Sequence, residues 1–130
     1  MPPEDYPTIT PYLYYEDAAA AMDWLIEAFG FSETVRMTND EGRVEHGALE
    51  RDGGVVMLGQ PGNDYENPNK RGGRATAGVH VYVDDVDAHF EHAKAAGAKI
   101  NTEPTDQPYG DRRYDAEDLE GQDWFFAQRL

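Results

Sequence analysis

A chain of 130 residues with 39% hydrophobic content is long enough for one domain with a sizeable core and short for two independent domains of usual size. Its formal charge of −15 repels nucleic acid and anionic membranes and attracts cationic small molecules. The absence of cysteine excludes disulfides, thiol nucleophiles and zinc–thiolate sites. No apolar run approaches the roughly 20 residues a membrane span needs. The opening MPPEDYPTIT has neither the basic nor the apolar region of a signal peptide, so a soluble cytoplasmic protein is expected.

In chain order, TITPYLYY at 8–15 predicts a strand. Asp17 then caps an Ala-rich helix over 18–29, which Gly30 closes. Met22, Leu25, Ile26 and Phe29 recur at helical spacing as its buried stripe. Strands follow at 32–37, 43–51 and 55–60, with turns at NDEG (39–42) and DGG (52–54). A polar stretch rich in Gly, Pro and Asn at 61–76 reads as a linker; it carries Tyr65 and the basic KRGGR at 70–74 and is expected to be mobile. The order then restarts with a strand at 78–83, a helix at 85–96 ending at Gly97, and strands near 99–103, 112–117 and 123–128.

That restart is a repeat. At an offset of 67, Tyr15, Asp17, Ala21, Ala28 and Gly30 meet Tyr82, Asp84, Ala88, Ala95 and Gly97. At an offset of 68, Gly42, Ala48, Gly53 and Gln60 meet Gly110, Ala116, Gly121 and Gln128. The identities fall on cap, turn and helix-stop positions, where backbone geometry makes the demand.

The strand, Asp, helix and Gly at 17–30 and again at 84–97, with the closing YGDRRYDAEDLEGQDWFFAQ at 109–128, resemble the vicinal oxygen chelate superfamily of glyoxalases, bleomycin-resistance proteins and dioxygenases. Leu119 stands where that ending usually has proline. The resemblance implies an α+β fold of two tandem βαβββ modules whose curved sheet encloses a cleft, in a single 130-residue domain with modules at about 8–60 and 77–130. It also implies a homodimer. Metal-dependent members carry His, Glu or Gln on the first and last strand of each module, donors suited to nickel, zinc, iron or manganese. The corresponding positions here fall on Thr10 or Pro11, Met57, Gly78 and Phe125. None is such a donor, so no metal or other cofactor is expected. His89 and His92, on the second helix, are expected to be solvated.

Strand alternation puts His80 and Tyr82 on the same face as Gly78. The repeat pairs His46 with Tyr114 and Met57 with Phe125, and Tyr12, Tyr109 and Arg112 complete the candidate ligand-binding set. Arg112 has an alternative in surface pairing with Asp115 or Glu117, and Met57 and Phe125 in plain core packing. Such an aromatic lining with a few polar groups suits a small-molecule site. The favoured expectation is a metal-free binder of a flat or cationic small molecule. The alternatives are a metal-dependent lyase or dioxygenase with an unusual ligand set, or a metal-free enzyme whose base is His80 or His46, the groups whose ordinary pKa suits the task.

Overall fold

The computed structural model describes residues 6–130, so the first half of the opening segment read for a signal peptide lies outside the described residues. The chain divides at Asn67 and Pro68 into two compact units. The first holds β1 (Tyr12–Tyr14), α1 (Ala18–Phe29), β2 (Ser32–Thr38), β3 (Val44–Arg51) and β4 (Gly54–Gly59). The second holds β5 (Gly78–Tyr82), α2 (Val86–Ala95), β6 (Lys99–Asp106), β7 (Asp111–Glu117) and β8 (Asp123–Arg129). Each unit is a four-stranded mixed sheet, β1-β4-β3-β2 or β5-β8-β7-β6, in which the first strand pairs in parallel with the last. This is the α+β architecture of two βαβββ modules expected from the repeat.

Each helix covers one face of its own sheet. Ala18, Ala21, Met22, Leu25, Ala28 and Phe29 of α1 are buried, a broader stripe than periodicity suggested, because the small Ala side chains let the helix lie close to β3. Ile26 is only half-buried. On α2 the buried side is Val86, Phe90 and Ala93, packed over Tyr114, Trp124 and Phe126 of the sheet. Asp17 and Asp85 cap the two helices by accepting from Ala20 N and Ala88 N at 3.1 and 3.0 Å. The repeated glutamines have a structural role: Gln60 Oε1 accepts from Ala18 N and Gln128 Oε1 from Val86 N, so each last strand holds the start of its unit's helix.

The linker belongs partly to each unit. Tyr65 donates its hydroxyl to Tyr14 O and Asn67 N donates to Glu16, whereas Asn69 N donates to Glu120 O and Gly73 N to Pro68 O.

Element boundaries differ from expectation in three informative places. The first strand begins at Tyr12 rather than Thr8, because Pro7 and Pro11 supply no backbone donor. β6 runs through Pro104 to Asp106, which an edge strand tolerates since one row of its amides faces away from the sheet. The helix cap in the second unit is Asp85, not Asp84, so the helix starts are related by 68 residues and not 67.

The repeat register therefore changes along the chain. Tyr12 faces Met57 as His80 faces Phe125, an offset of 68 in all four strands concerned. Ser32 opposes Glu50 as Lys99 opposes Glu117, an offset of 67. Around the next turn the offset is again 68, because Thr38 opposes Val44 as Asp106 opposes Arg112. In β3 a bulge then places Met37 opposite His46 and leaves Glu45 as the extra residue, which has no counterpart in β7. Beyond that bulge His46 corresponds to Arg113, and Ala48 to Asp115 rather than Ala116. A turn one residue longer, at 118–122, restores the offset of 68 for β8.

Candidate functional site

Opposite its helix each sheet has a second, partly exposed face, the open face, whose polarity is set by strand alternation. In the first unit a Cβ on Gly47 would strike the Met22 sulfur of α1 at 2.6 Å, so Gly47 points at the helix. Its neighbours His46 and Ala48, and Met57 paired with Ala48, point to the open face. There the Tyr12 ring stacks on His46 at 5.7 Å, and its hydroxyl lies 3.1 Å from His46 Nδ1. Gly59 makes room for this pair, because a side chain there would meet the Tyr12 hydroxyl at 2.8 Å. Tyr14 continues the row, edge-on to Tyr12 and to Tyr65. Tyr12, Tyr14 and Met37 are all about half or more exposed, at 46%, 51% and 59%. The result is an aromatic surface with one hydroxyl–imidazole pair, and with Glu50 on the same face at the end of β3.

The open face of the second unit is charged. His80 packs edge-on against Tyr82 at 4.9 Å, and the Tyr82 hydroxyl donates to Asp111 Oδ2 at 2.8 Å. Asp111 is buried and pairs through Oδ1 with Arg129 at 3.0 Å. Arg113 lies over the Phe125 ring at 4.5 Å and pairs with Asp115 at 3.2 Å. At the far end Glu117 Oε2 accepts from Asn101 Nδ2 at 2.9 Å and lies 3.4 Å from Lys99 Nζ. A pocket of about 480 Å³ opens there, bounded by Arg74, Lys99, Asn101, Glu117, Asp123 and Phe125. Burial, together with the nearby Glu117 carboxylate, raises the pKa of Asp123 above the ordinary carboxylate value, against the opposing pull of Arg74.

Six expected site residues, Tyr12, His46, Met57, His80, Tyr82 and Phe125, lie on these open faces, each within its own unit. Tyr109 is exposed in the β6–β7 turn, where its carbonyl accepts from Arg129. Arg112 and Tyr114 lie on the helix face, which corrects their expected placement. Arg112 pairs with Asp87 of α2 and with Asp106, rather than with Asp115 or Glu117. Those hydrogen bonds hold the Asp106 carboxyl below its ordinary pKa and raise that of the guanidinium. Tyr114 is fully buried, with its hydroxyl 2.6 Å from His89 Nδ1. His89 is thus a half-buried partner of the core and not a solvated residue, while His92 is exposed.

These two misplacements share one cause. The bulge at Glu45 makes Arg113, not Tyr114, the repeat mate of His46. The alternation of β7 alone signals this, since Tyr114 and Ala116 are its apolar positions and Asp111, Arg113, Asp115 and Glu117 take the other face. Arg113, Asp115, Glu117, Asp123 and Tyr14 are thus open-face residues that pairing by sequence offset missed.

The positions that would hold a metal in this type of fold do not suit one. Gly78 and Thr10 are structural equivalents, as are Met57 and Phe125. The space a side chain at Gly78 would need is filled by the Phe125 ring, so two of the four positions are occupied by a single apolar group. Among the described residues no three His, Asp or Glu side chains converge as a metal-binding group. The first acidic residue after β7, Asp118, has a structural task. Asp118 accepts from Glu120 N and Gln122 N at 3.1 Å and from Trp124 Nε1 at 3.0 Å, which fixes the turn before β8 and anchors the buried indole.

Among the described residues, no helix is long and apolar enough to cross a membrane. Among solved structures, TioX from Micromonospora sp. ML1 is 37% identical and superposes with a TM-score of 0.76, over 95% of this chain and 97% of that one. A fosfomycin resistance protein, FosX, from Listeria monocytogenes has a TM-score of 0.69 at 13% identity, over 95% and 93% of the two chains, and shares the fold. An uncharacterized protein of Mycobacterium bovis is 35% identical over 127 residues, 94% of this chain and 83% of its own length. The model of the Glyoxalase/Bleomycin resistance protein/Dioxygenase superfamily matches residues 7–126, and the chain belongs to that superfamily.

Proposed function

We propose that this protein is a metal-free binder of a small aromatic or cationic molecule, of the kind that sequesters an antibiotic, acting in the cytoplasm as a homodimer. The observation that carries the reading is the pairing of Gly78 with Phe125: where the superfamily's chemistry needs two metal-ligand side chains, this chain has an aromatic ring lying over a glycine. In the same unit the rings of His80 and Tyr82 are exposed, and the first unit by itself exposes Tyr12 and Tyr14; both faces offer aromatic area to a ligand. The chain's charge of −15 raises the local concentration of cations.

A thermal-shift panel of bleomycin, proflavine and 2-naphthol tests this, because any ligand of the native state must raise its stability. At least one compound should raise Tm, and Tyr12→Ala or Phe125→Leu should reduce that shift. A panel without effect contradicts the reading. Sedimentation should give a dimer mass.

A second reading is favoured by the 3.1 Å contact between Tyr12 Oη and His46 Nδ1, a pair able to pass a proton to or from a bound molecule. It predicts that His46→Ala abolishes turnover of a compound found to bind while leaving its affinity within about threefold. Equal loss of binding by this variant would reduce His46 to a ligand contact.

A further inference from the structure

Two arginines beside the second unit's open face are fully engaged. Arg112 bonds through all three guanidinium nitrogens to Asp106 and Asp87, and Arg129 through all three to Asp111, Tyr109 O and the Tyr82 hydroxyl. Arg113 differs. Its Nε donates to Asp115 at 3.2 Å and its guanidinium carbon lies 4.5 Å from the centre of the Phe125 ring, but Nη1 and Nη2 donate to no group among the described residues. The side chain is 30% exposed and neither nitrogen is buried, so a bound molecule can reach both. A guanidinium held by a ring and by one carboxylate is a pre-organised fork of donors. Its pairing with Asp115 offsets its charge, and the chain's −15 opposes an anion. What suits the fork is an uncharged acceptor, the oxygen of a carbonyl group.

The strand register sets these donors in line with exposed rings. Tyr82, Ala127 and Arg113 form one cross-strand row, and His80, Phe125 and Asp115 form the next. Arg113 therefore stands two strands, about 10 Å, from Tyr82. Only the small side chain of Ala127 lies between them in that row. A flat two-ring molecule lying along the row from Tyr82 covers that distance and brings a substituent to the guanidinium.

We propose that Arg113 is a specificity-determining residue of the second unit's open face, donating from Nη1 and Nη2 to the carbonyl oxygen of a flat, uncharged aromatic molecule. The proposal rests on the reading of the open faces as a small-molecule site and names a functional group that the molecule carries.

Equilibrium dialysis of the full chain at neutral pH, with free ligand measured by chromatography, compares 2-acetylnaphthalene with 2-ethylnaphthalene, which has a similar shape and no oxygen. The ketone should bind about tenfold tighter, the gain expected of a hydrogen bond from a charged donor. Arg113→Met, which keeps an unbranched side chain beside Phe125, should cut that preference to within about twofold without weakening 2-ethylnaphthalene. Arg113→Lys, which keeps the charge but not the fork, should leave a preference of about threefold. 2-Naphthoate should bind no better than the ketone. No preference in wild type, the same preference in Arg113→Met, or tighter binding of 2-naphthoate overturns the proposal. If Arg113→Met fails to fold, an undiminished preference in Arg113→Lys overturns it. Equal binding of ketone and hydrocarbon removes the proposal and leaves the small-molecule reading standing, as does binding of neither beside a thermal shift by 2-naphthol or proflavine. Binding of neither, with no shift from any compound of that panel, removes both.

Discussion

The units at 6–67 and 68–130 share strand order, helix placement, cap type and the glutamine that pins each helix start, yet on the open faces, where Tyr14 and Tyr82 correspond and Glu50 and Glu117 correspond, four other positions differ. Tyr12 is matched by His80, Met57 by Phe125, His46 by Arg113 and Ala48 by Asp115. One face has rings and apolar surface with Glu50 at its end, and the other is joined by the Tyr82–Asp111–Arg129 and Arg113–Asp115 contacts. On the helix faces the contrast lies in size. Gly47 in the first unit, whose side-chain space is filled by Met22, corresponds to the buried Tyr114 of the second. Backbone geometry is retained where a cap, a turn or a helix start demands a residue type, and side chains diverge where two packings fill the same space equally well.

That contrast can be broken by mutation. The largest effect should come from Tyr114→Ala, which opens a cavity beneath α2 and costs about 4 kcal/mol in urea unfolding. Gly47→Ala at the equivalent place should cost about 1–2 kcal/mol by crowding Met22. Similar costs for the two would show that the units are packed alike. Asp118→Ala removes the acceptor of three hydrogen bonds, one from the buried Trp124 indole, and should cost about 3 kcal/mol. Arg51, its counterpart, donates to Phe29 O and Gly30 O at the end of α1, and Arg51→Ala should cost nearer 1 kcal/mol. The caps should not differ: Asp17→Ala and Asp85→Ala should each cost about 1 kcal/mol.

The smallest effect concerns pH. The raised pKa of Asp123 means that the folded state binds this proton more tightly than the unfolded chain does. Its charge therefore destabilises the fold at neutral pH, and the penalty is relieved as pH falls through the raised value to the ordinary carboxylate range. Asp123→Asn should melt higher than wild type at neutral pH, with the gap closing in acid. A gap that widens in acid would show the sign to be wrong.

The repeat and the element order were legible in the sequence because they rest on caps, turns and alternation. The site was less so. A single offset carried His46 onto Tyr114, since the bulge at Glu45 and the longer turn at 118–122 show only through the alternation of β7 and not at their own residues. Each one-residue change exchanges the two faces of a strand, so Arg112 was expected where Arg113 stands. His89 was read as solvated because helix periodicity locates a buried stripe but not a hydroxyl reaching its margin from Tyr114.

The central claim is that the open faces bind a small molecule without a metal. It is tested most directly by titrating proflavine, followed by its fluorescence, into protein dialysed against EDTA and into undialysed protein. The same affinity in both, reduced by Phe125→Leu, is the predicted result. Binding that disappears on dialysis and returns with one equivalent of nickel, zinc, iron or manganese would contradict it.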